Sequence, residues 1–276
     1  MAKFLVLSDI HANLEALEAV LADAQERYGK PDQLWCLGDI VGYGPDPGPC
    51  IDLLLAQDLE VISVRGNHDQ GTIDARNGNG SATSEVQQGW QWAASVISER
   101  QFAYLNNLPL DKVLTGYSPT VLLVHASPKD KMHTYLETAS DIESNLDDLS
   151  QELCFFGHTH LACYFICDPQ RKFAQPRLFS HDTPMPVKLP TDRQVFINPG
   201  TVGQPRWGRT DAGGGYQGEP RVSYIWLTLE NNTATITCHY VAYDSETTIS
   251  KMEALKVSKK CIVPDRWARR LREGLR

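Results

Sequence analysis

The chain has no run of about twenty apolar residues, the length a bilayer-spanning helix needs, so no membrane span is expected. It has no basic surplus. Its 26 lysines and arginines stand against 34 aspartates and glutamates, a formal net charge of −8, opposite in sign to the footprint of a general nucleic-acid binder. Its seven cysteines form no CxxC pair. Cys36 and Cys154 sit inside apolar runs, where reduced core thiols are expected, and Cys163 and Cys167 have no second pair with which to make a zinc knuckle. The opening MAKFLVLSDIHAN lacks the long apolar core of a signal peptide. A reducing, cytoplasmic setting follows as the expectation. The first strand runs into SDIHAN and not into GxGxxG, which removes the phosphate-cradling loop of a dinucleotide fold. Ser127 lies near His125 but has no GxSxG elbow around it.

What the 276 residues do contain, 42% of them hydrophobic and 22% charged, suits a soluble globular core. KFLVLS, QLWCLG and EVISVRG are apolar runs of strand length. Asn13 is placed to cap a helix LEALEAVLADAQERYG, in which Leu14, Leu17, Val20, Leu21 and Ala24 recur at helical spacing. CIDLLLAQD gives a second, short helix. This β-α-β-α-β order predicts a parallel sheet. Residues 71–83 are expected as a loop, and SEVQQGWQWAASVISERQFAYLNNLP as one long helix. Strands then dominate (DKVLTG, PTVLLVHA, LCFFGH, ACYFICD, QVFINPG, VSYIWLTL, TATITCHYVAY), interrupted by a helix SDIESNLDDLS. A glycine-rich loop is expected at 210–220. Residues 244–276 are expected to form a basic helical extension to a main domain of residues 1–243, with Trp267, Leu271 and Leu275 as its apolar stripe.

Polar residues collect where these strands end. LVLSDIH ends in Asp9 and His11, LWCLGD in Asp39, and VISVRGNHD in Asn67, His68 and Asp69. TVLLVHASP carries His125, and CFFGHTH carries His158 and His160. Five of the eight histidines lie at these ends, where open α/β sheets bind ligands. Histidine, carboxylate and amide donors without thiolate suit borderline divalent metals. Seven donors serve two ions only if one carboxylate is shared.

The ordered set DxH, GDxxxxG, GNHD, VHASP and GHTH, spread over residues 9–160, resembles the calcineurin-like metallophosphoesterases. INPGTVGQPR (residues 197–206) resembles their bacterial and archaeal branch, which includes phosphodiesterases and diadenosine-tetraphosphatase-like enzymes. The resemblance implies an α/β fold, a four-layer α-β-β-α sandwich of two mixed sheets with a dinuclear metal site at the strand ends. It implies one ion on Asp9, His11, Asp39 and His160, and the other on Asp39, Asn67, His125 and His158. Manganese is the expected metal, with iron, zinc, nickel or cobalt as alternatives. His68 is left unliganded to act on the substrate, and Asp69 either supports the loop or lies at the surface. Two such ions activate a water for in-line attack at phosphorus, and His68 would either stabilise the phosphate or, when protonated, deliver a proton to the leaving oxygen.

One departure bears on substrate. The protein-phosphatase branch carries aspartate and arginine in GDxVDRG, whereas this chain has GDIVGYG, with Gly42 and Tyr43 at those positions. The reading is therefore a phosphoesterase acting on diesters or dinucleoside polyphosphates, with Tyr43, Arg65 and Arg206 as candidate contacts to a phosphorylated small molecule or nucleotide. A protein phosphatase using the same site and a catalytically silent metal-binding scaffold are the alternatives.

Overall fold

The computed structural model describes residues 1–79, 81, 83–167, 176–188, 194–205, 221–257 and 271. In chain order the first half contains β1 (Ala2–Leu7), α1 (Leu14–Tyr28), β2 (Gln33–Cys36), α2 (Pro47–Leu55), β3 (Glu60–Ser63), α3 (Asn67–Arg76), α4 (Glu85–Val96) and α5 (Glu99–Asn107). The second half contains β4 (Asp111–Leu114), β5 (Val121–Val124), α6 (Ala139–Glu143), β6 (Leu153–Phe155), β7 (Ala162–Cys167), β8 (Arg177–Leu178), β9 (Met185–Lys188), β10 (Gln194–Pro199), β11 (Arg221–Glu230), β12 (Thr233–Ala242) and α7 (Ser245–Val257).

Two six-stranded sheets result, in the orders β3-β2-β1-β11-β12-β9 and β4-β5-β6-β10-β7-β8. Each contains a parallel trio, at one end of the first sheet and inside the second. β1, β2 and β3 pair in parallel in the first sheet, β5, β6 and β10 in the second, and the remaining pairings are antiparallel. Side chains alternate across each strand. On β1, Phe4 and Val6 meet Trp35, Phe155 and Ile197 between the sheets, while Leu5 and Leu7 join Leu17, Val20 and Ile51 under the helices. On the second sheet, Leu122, Cys154 and Phe196 face Leu136, Ile142 and Leu149. Helices on one face, two sheets, and a second outer layer around α6 make the four-layer sandwich.

Asn13 caps α1 as the sequence predicts, its Oδ1 accepting from the Ala16 N–H at 3.2 Å. Three local expectations fail. GTIDAR is helical, because α3 begins at Asn67 and runs on to Arg76. The long helix after residue 84 breaks into α4 and α5, because Ser98 starts a new helix with its own capping box to Gln101. Of SDIESNLDDLS only residues 140–143 are α-helical, with a short 3₁₀ turn (Leu146–Asp148) after them, where Asp and Asn compete for backbone groups. The edge strands β8 and β9 are additions that no apolar alternation announced. The six cysteines among the described residues are buried free thiols. No helix among those residues is long and apolar enough to cross a membrane.

α7 lies against the start of α1. Its Thr248 hydroxyl donates to Glu15 Oε2 at 2.7 Å and Lys251 donates to Asp46 Oδ2 at 2.8 Å. Of the expected tail stripe only Leu271 is described, buried with Ile249 and Met252. Trp267, Leu275, Arg206 and the 210–220 loop lie outside the described residues.

Candidate functional site

The segments that follow the strands of the two parallel trios come together in one place. From the first sheet come Asp9 and His11 after β1, Asp39 after β2, and Asn67 and His68 after β3. From the second come His125 after β5, His158 and His160 after β6, and the 200–204 turn after β10. Backbone bonds lace these ends together. The Asp9 N–H donates to Gly38 O (3.1 Å), His11 N–H to Asp39 O (2.9 Å), Gly157 N–H to His125 O (2.8 Å) and Gly203 N–H to Asp9 O (2.8 Å).

This lacing holds backbone in a disfavoured conformation. Asp9, His11, Ala12, Asp39, Tyr43, His158 and His160 all have left-handed φ values, between 48° and 64°. Each costs on the order of 1–2 kcal/mol for a side-chain-bearing residue, and such strain persists where the surrounding structure over-determines it, as this lacing does. Gly66 is required for a different reason. A Cβ there would lie 2.1 Å from Asp39 Oδ1.

The carboxylates divide their oxygens between protein and site. Asp9 Oδ2 accepts from the Ser8 hydroxyl (2.6 Å) and the His158 N–H (3.1 Å), while Oδ1 is buried with no hydrogen-bond partner. That orphaned oxygen sits 3.2 Å from His160 Nε2 and 3.7 Å from His11 Nε2. Asp39 Oδ1 accepts from the His68 N–H at 2.8 Å. Its Oδ2 lies between His125 Nε2 (3.4 Å) and His11 Nε2 (3.8 Å).

The imidazoles are sorted by what holds their other nitrogen. His125 donates from Nδ1 to Leu37 O (2.8 Å), His160 from Nδ1 to Gln204 O (3.2 Å), and His158 from Nε2 to His133 O (3.2 Å). In the neutral ring each bond to a carbonyl, an acceptor only, leaves the lone pair on the opposite nitrogen, the arrangement that prepares a histidine for a metal. His11 Nε2 and His160 Nε2 face each other at 3.0 Å, as do His125 Nε2 and Asn67 Oδ1. Lone pairs at that separation repel unless a cation or proton lies between them. An ion about 2.1 Å from each nitrogen donor sets neighbouring donors roughly 3 Å apart, so the residues fit divalent ions. Two donor groups, Asp9–His11–His160 and Asp39–His125–His158, have their ligand atoms within 4.8 Å of one another.

The electrostatics agree. Burial alone would raise Asp9 and Asp39, yet His160 beside Asp9 and His125 beside Asp39 hold both well below the carboxylate range. Against its burial, His125 is raised to about 9 by Asp39. The same negative field draws a metal cation. Burial lowers His11, and takes His158 down to about 4.

His68 is built the other way. Its Nδ1 accepts from the Trp90 indole N–H at 3.0 Å. Because indole only donates, this assigns the ring proton of a neutral His68 to Nε2 and leaves no lone pair for an ion, although His68 also lies within 4.8 Å of donor atoms of His11 and Asp39. Burial brings its pKa down to about 4. Its ring centroid lies 4.2 Å from that of Tyr43, which also packs on His11 at 4.6 Å.

Arg65 is less available than the sequence suggested. Its guanidinium donates to Gln70 Oε1 (2.8 Å) and Asn106 O (2.6 Å), binding the strand end to α5. Asp69 is no surface carboxylate. It is buried and accepts from the Ile40 (2.9 Å), Val41 (3.2 Å) and Gly66 (3.0 Å) N–H groups, fastening the two loops that carry Asp39 and Asn67. Burial, then the Asp39 charge, push its pKa up to about 7. Asp69→Ala orphans three N–H groups and is expected to cost about 3 kcal/mol or more. An unchanged urea midpoint would show that the carboxylate is not the fastening.

Sequence reasoning passed over Ser8, Trp90 and Thr201, whose hydroxyl donates to Asp9 O at 2.9 Å. Ser8 and Thr201 adjoin motif residues and were within reach of it. Trp90 sits in an amphipathic helix where nothing distinguishes it from core.

The model of the calcineurin-like phosphoesterase superfamily domain matches residues 2–215. The chain belongs to the calcineurin-like phosphoesterase superfamily. It is 36% identical over 211 residues to an uncharacterised protein of Methanocaldococcus jannaschii, covering 74% of this chain and 77% of that one. A symmetrical bis(5'-nucleosyl)-tetraphosphatase of Aliivibrio salmonicida is 29% identical over 148 residues, which is 53% of this chain and 52% of that enzyme. A metallophosphoesterase from Sphaerobacter thermophilus shares the fold at TM-score 0.77 and 33% identity, covering 99% of both chains. A protein of Pyrococcus horikoshii shares the fold at TM-score 0.72 and 18% identity, again over 99% of each chain. The calcineurin-like phosphoesterases are hydrolases of phosphoester bonds, and this chain is a metallophosphoesterase.

Proposed function

We propose that the protein uses two divalent ions, held by Asp9, His11, Asp39 and His160 on one side and by Asp39, Asn67, His125 and His158 on the other, to hydrolyse phosphodiesters or phosphoanhydrides. The observation that carries this reading is Asp39 Oδ2, set between imidazole nitrogens from both sheets while its partner oxygen is fixed by the His68 N–H. When bound, two such ions supply Lewis acidity and an activated water for in-line displacement at phosphorus. The chain's own residues do the positioning. Trp90 and Tyr43 hold the His68 ring, and Nε2–H is the donor it offers to a phosphoryl oxygen as charge gathers there.

Gly42 and Tyr43, in place of an aspartate and an arginine, support the substrate class. A phosphomonoester dianion needs more cationic grip than a diester, and an aromatic face suits the second organic group. The likeness to a bis(5'-nucleosyl)-tetraphosphatase over half its length points the same way. The test is kcat/KM at saturating manganese on a chromogenic diester, dinucleoside polyphosphates and phosphoserine peptides. Diesters or polyphosphates are expected to lead, and a clear lead for phosphopeptides overturns the reading in favour of a protein phosphatase. Stripping the metal with a chelator is expected to abolish turnover and lower Tm by roughly 5–10 °C, as for ions present near 100 Kd. Full activity in the stripped protein rules out the metal-dependent reading.

A further inference from the structure

His68 is seated by a tryptophan. Trp90 lies on α4, and its indole edge meets the His68 ring with centroids 5.5 Å apart and planes at 87°. The indole reaches this place because residue 71, one turn after His68 on α3, is glycine. A Cβ at 71 would stand 2.3 Å from Trp90 Cδ2. Nothing in the helical pattern of α3 asks for a glycine there, and glycine in a helix interior costs about 1 kcal/mol. The slot it opens is filled by the group that donates to His68 Nδ1.

We propose that Trp90 is a positioning residue that fixes His68 as a neutral Nε2–H donor, so that the site hydrogen-bonds the phosphoryl group but gives no proton to the leaving oxygen. The consequence is a substrate class: phosphoric esters or anhydrides whose leaving group departs as a stable anion, such as a nucleotide phosphate or an aryloxide, in preference to alkyl esters. This rests on the phosphoesterase reading above. In the step, the bond from a water oxygen to phosphorus forms while the bond from phosphorus to the leaving oxygen breaks. The leaving oxygen keeps the bonding pair and departs as an anion, and the proton lost from water goes to solvent. A carboxylate partner would accept from Nδ1–H and leave His68 able to carry a second proton. An indole partner donates, and a second proton on Nδ1 would set two donors against each other.

Two measurements on the zinc-loaded protein test this. Long-range ¹⁵N–¹H spectra, with His68 assigned by difference from His68→Asn, are expected to show a pyridine-like Nδ1 and a pyrrole-like Nε2. Trp90→Phe, which keeps a ring but removes the donor, should mix the tautomers and lower kcat about 10- to 100-fold with little change in KM. Gly71→Ala, which evicts the indole without deleting it, should do the same. A pyrrole-like Nδ1 in the wild-type spectrum overturns the assignment even if both variants fail to fold. The second measurement is kcat across diesters of graded leaving-group pKa. A steep fall is expected, with the same slope in His68→Asn. A shallow wild-type slope that steepens in His68→Asn means that His68 does deliver a proton, and overturns the proposal. No turnover of any substrate sinks the phosphoesterase reading and its leaving-group consequence, while the tautomer stands or falls on the spectrum alone.

Discussion

Asp39→Asn is expected to lower kcat by about 10³-fold or more, the scale of losing a charge fixed against the developing one, and to empty both metal positions together. The substitution has no harmless orientation. Asp39 Oδ1 is committed to the His68 N–H at 2.8 Å, and Oδ2 faces His125 Nε2 at 3.4 Å and His11 Nε2 at 3.8 Å. An amide turned to satisfy His68 presents its NH₂ to the ions. Turned the other way, it sets two donors against each other. The variant also removes the charge that raises His125. Elemental analysis of the folded variant, checked by far-UV circular dichroism, decides the matter. Two tightly held ions in that variant would defeat the assignment of Asp39 as the shared ligand.

His68→Asn is expected to keep its metal and lose roughly 10²–10³-fold in kcat, the range for deleting one preorganised donor. Metal retention follows from the tautomer. Nδ1 accepts from Trp90 at 3.0 Å and Nε2 carries the proton, so the ring has no lone pair for a cation. Asparagine is the apt replacement because it retains a short polar side chain beside Asp39. Loss of one ion per chain in this variant would make His68 a ligand and remove it from the substrate's side of the site.

Much of this centre is legible in the chain itself, and the reason is geometric. Open α/β sheets bind ligands just past the carboxyl ends of their strands, and the candidate site residues Asp9–His11, Asp39 and Asn67–His68 each appear directly after an apolar run, about one βαβ unit apart. His125 and His158–His160 repeat the device on the second sheet. Glycine marks the turns, and Gly66 shows why, since the Asp39 carboxylate occupies the space of its missing Cβ. Boundaries of helices are less legible. Ile97 closes one helix and Ser98 caps the next through local hydrogen bonds, and the apolar pattern runs through that junction without a mark. GTIDAR looks like loop by composition and is helical because α4 and α5 cover it.

By itself the sequence determined the parallel trio of the first sheet and the residue types at the strand ends, because burial on both faces demands unbroken apolar runs and His, Asp and Asn without thiolate suit borderline divalent metals. The four-layer sandwich was implied only by the family resemblance. Only the tertiary structure decided what each polar atom does. Leu37 O, Gln204 O and His133 O choose which nitrogen of His125, His160 and His158 keeps its lone pair. Trp90, twenty-two residues from His68, chooses the opposite state for that ring. Asp69 is drawn into the interior by three backbone N–H groups, two of them from a loop nearly thirty residues away. Protonation and hydrogen-bond direction depend on partners brought together across the fold, and no local pattern of residues encodes them.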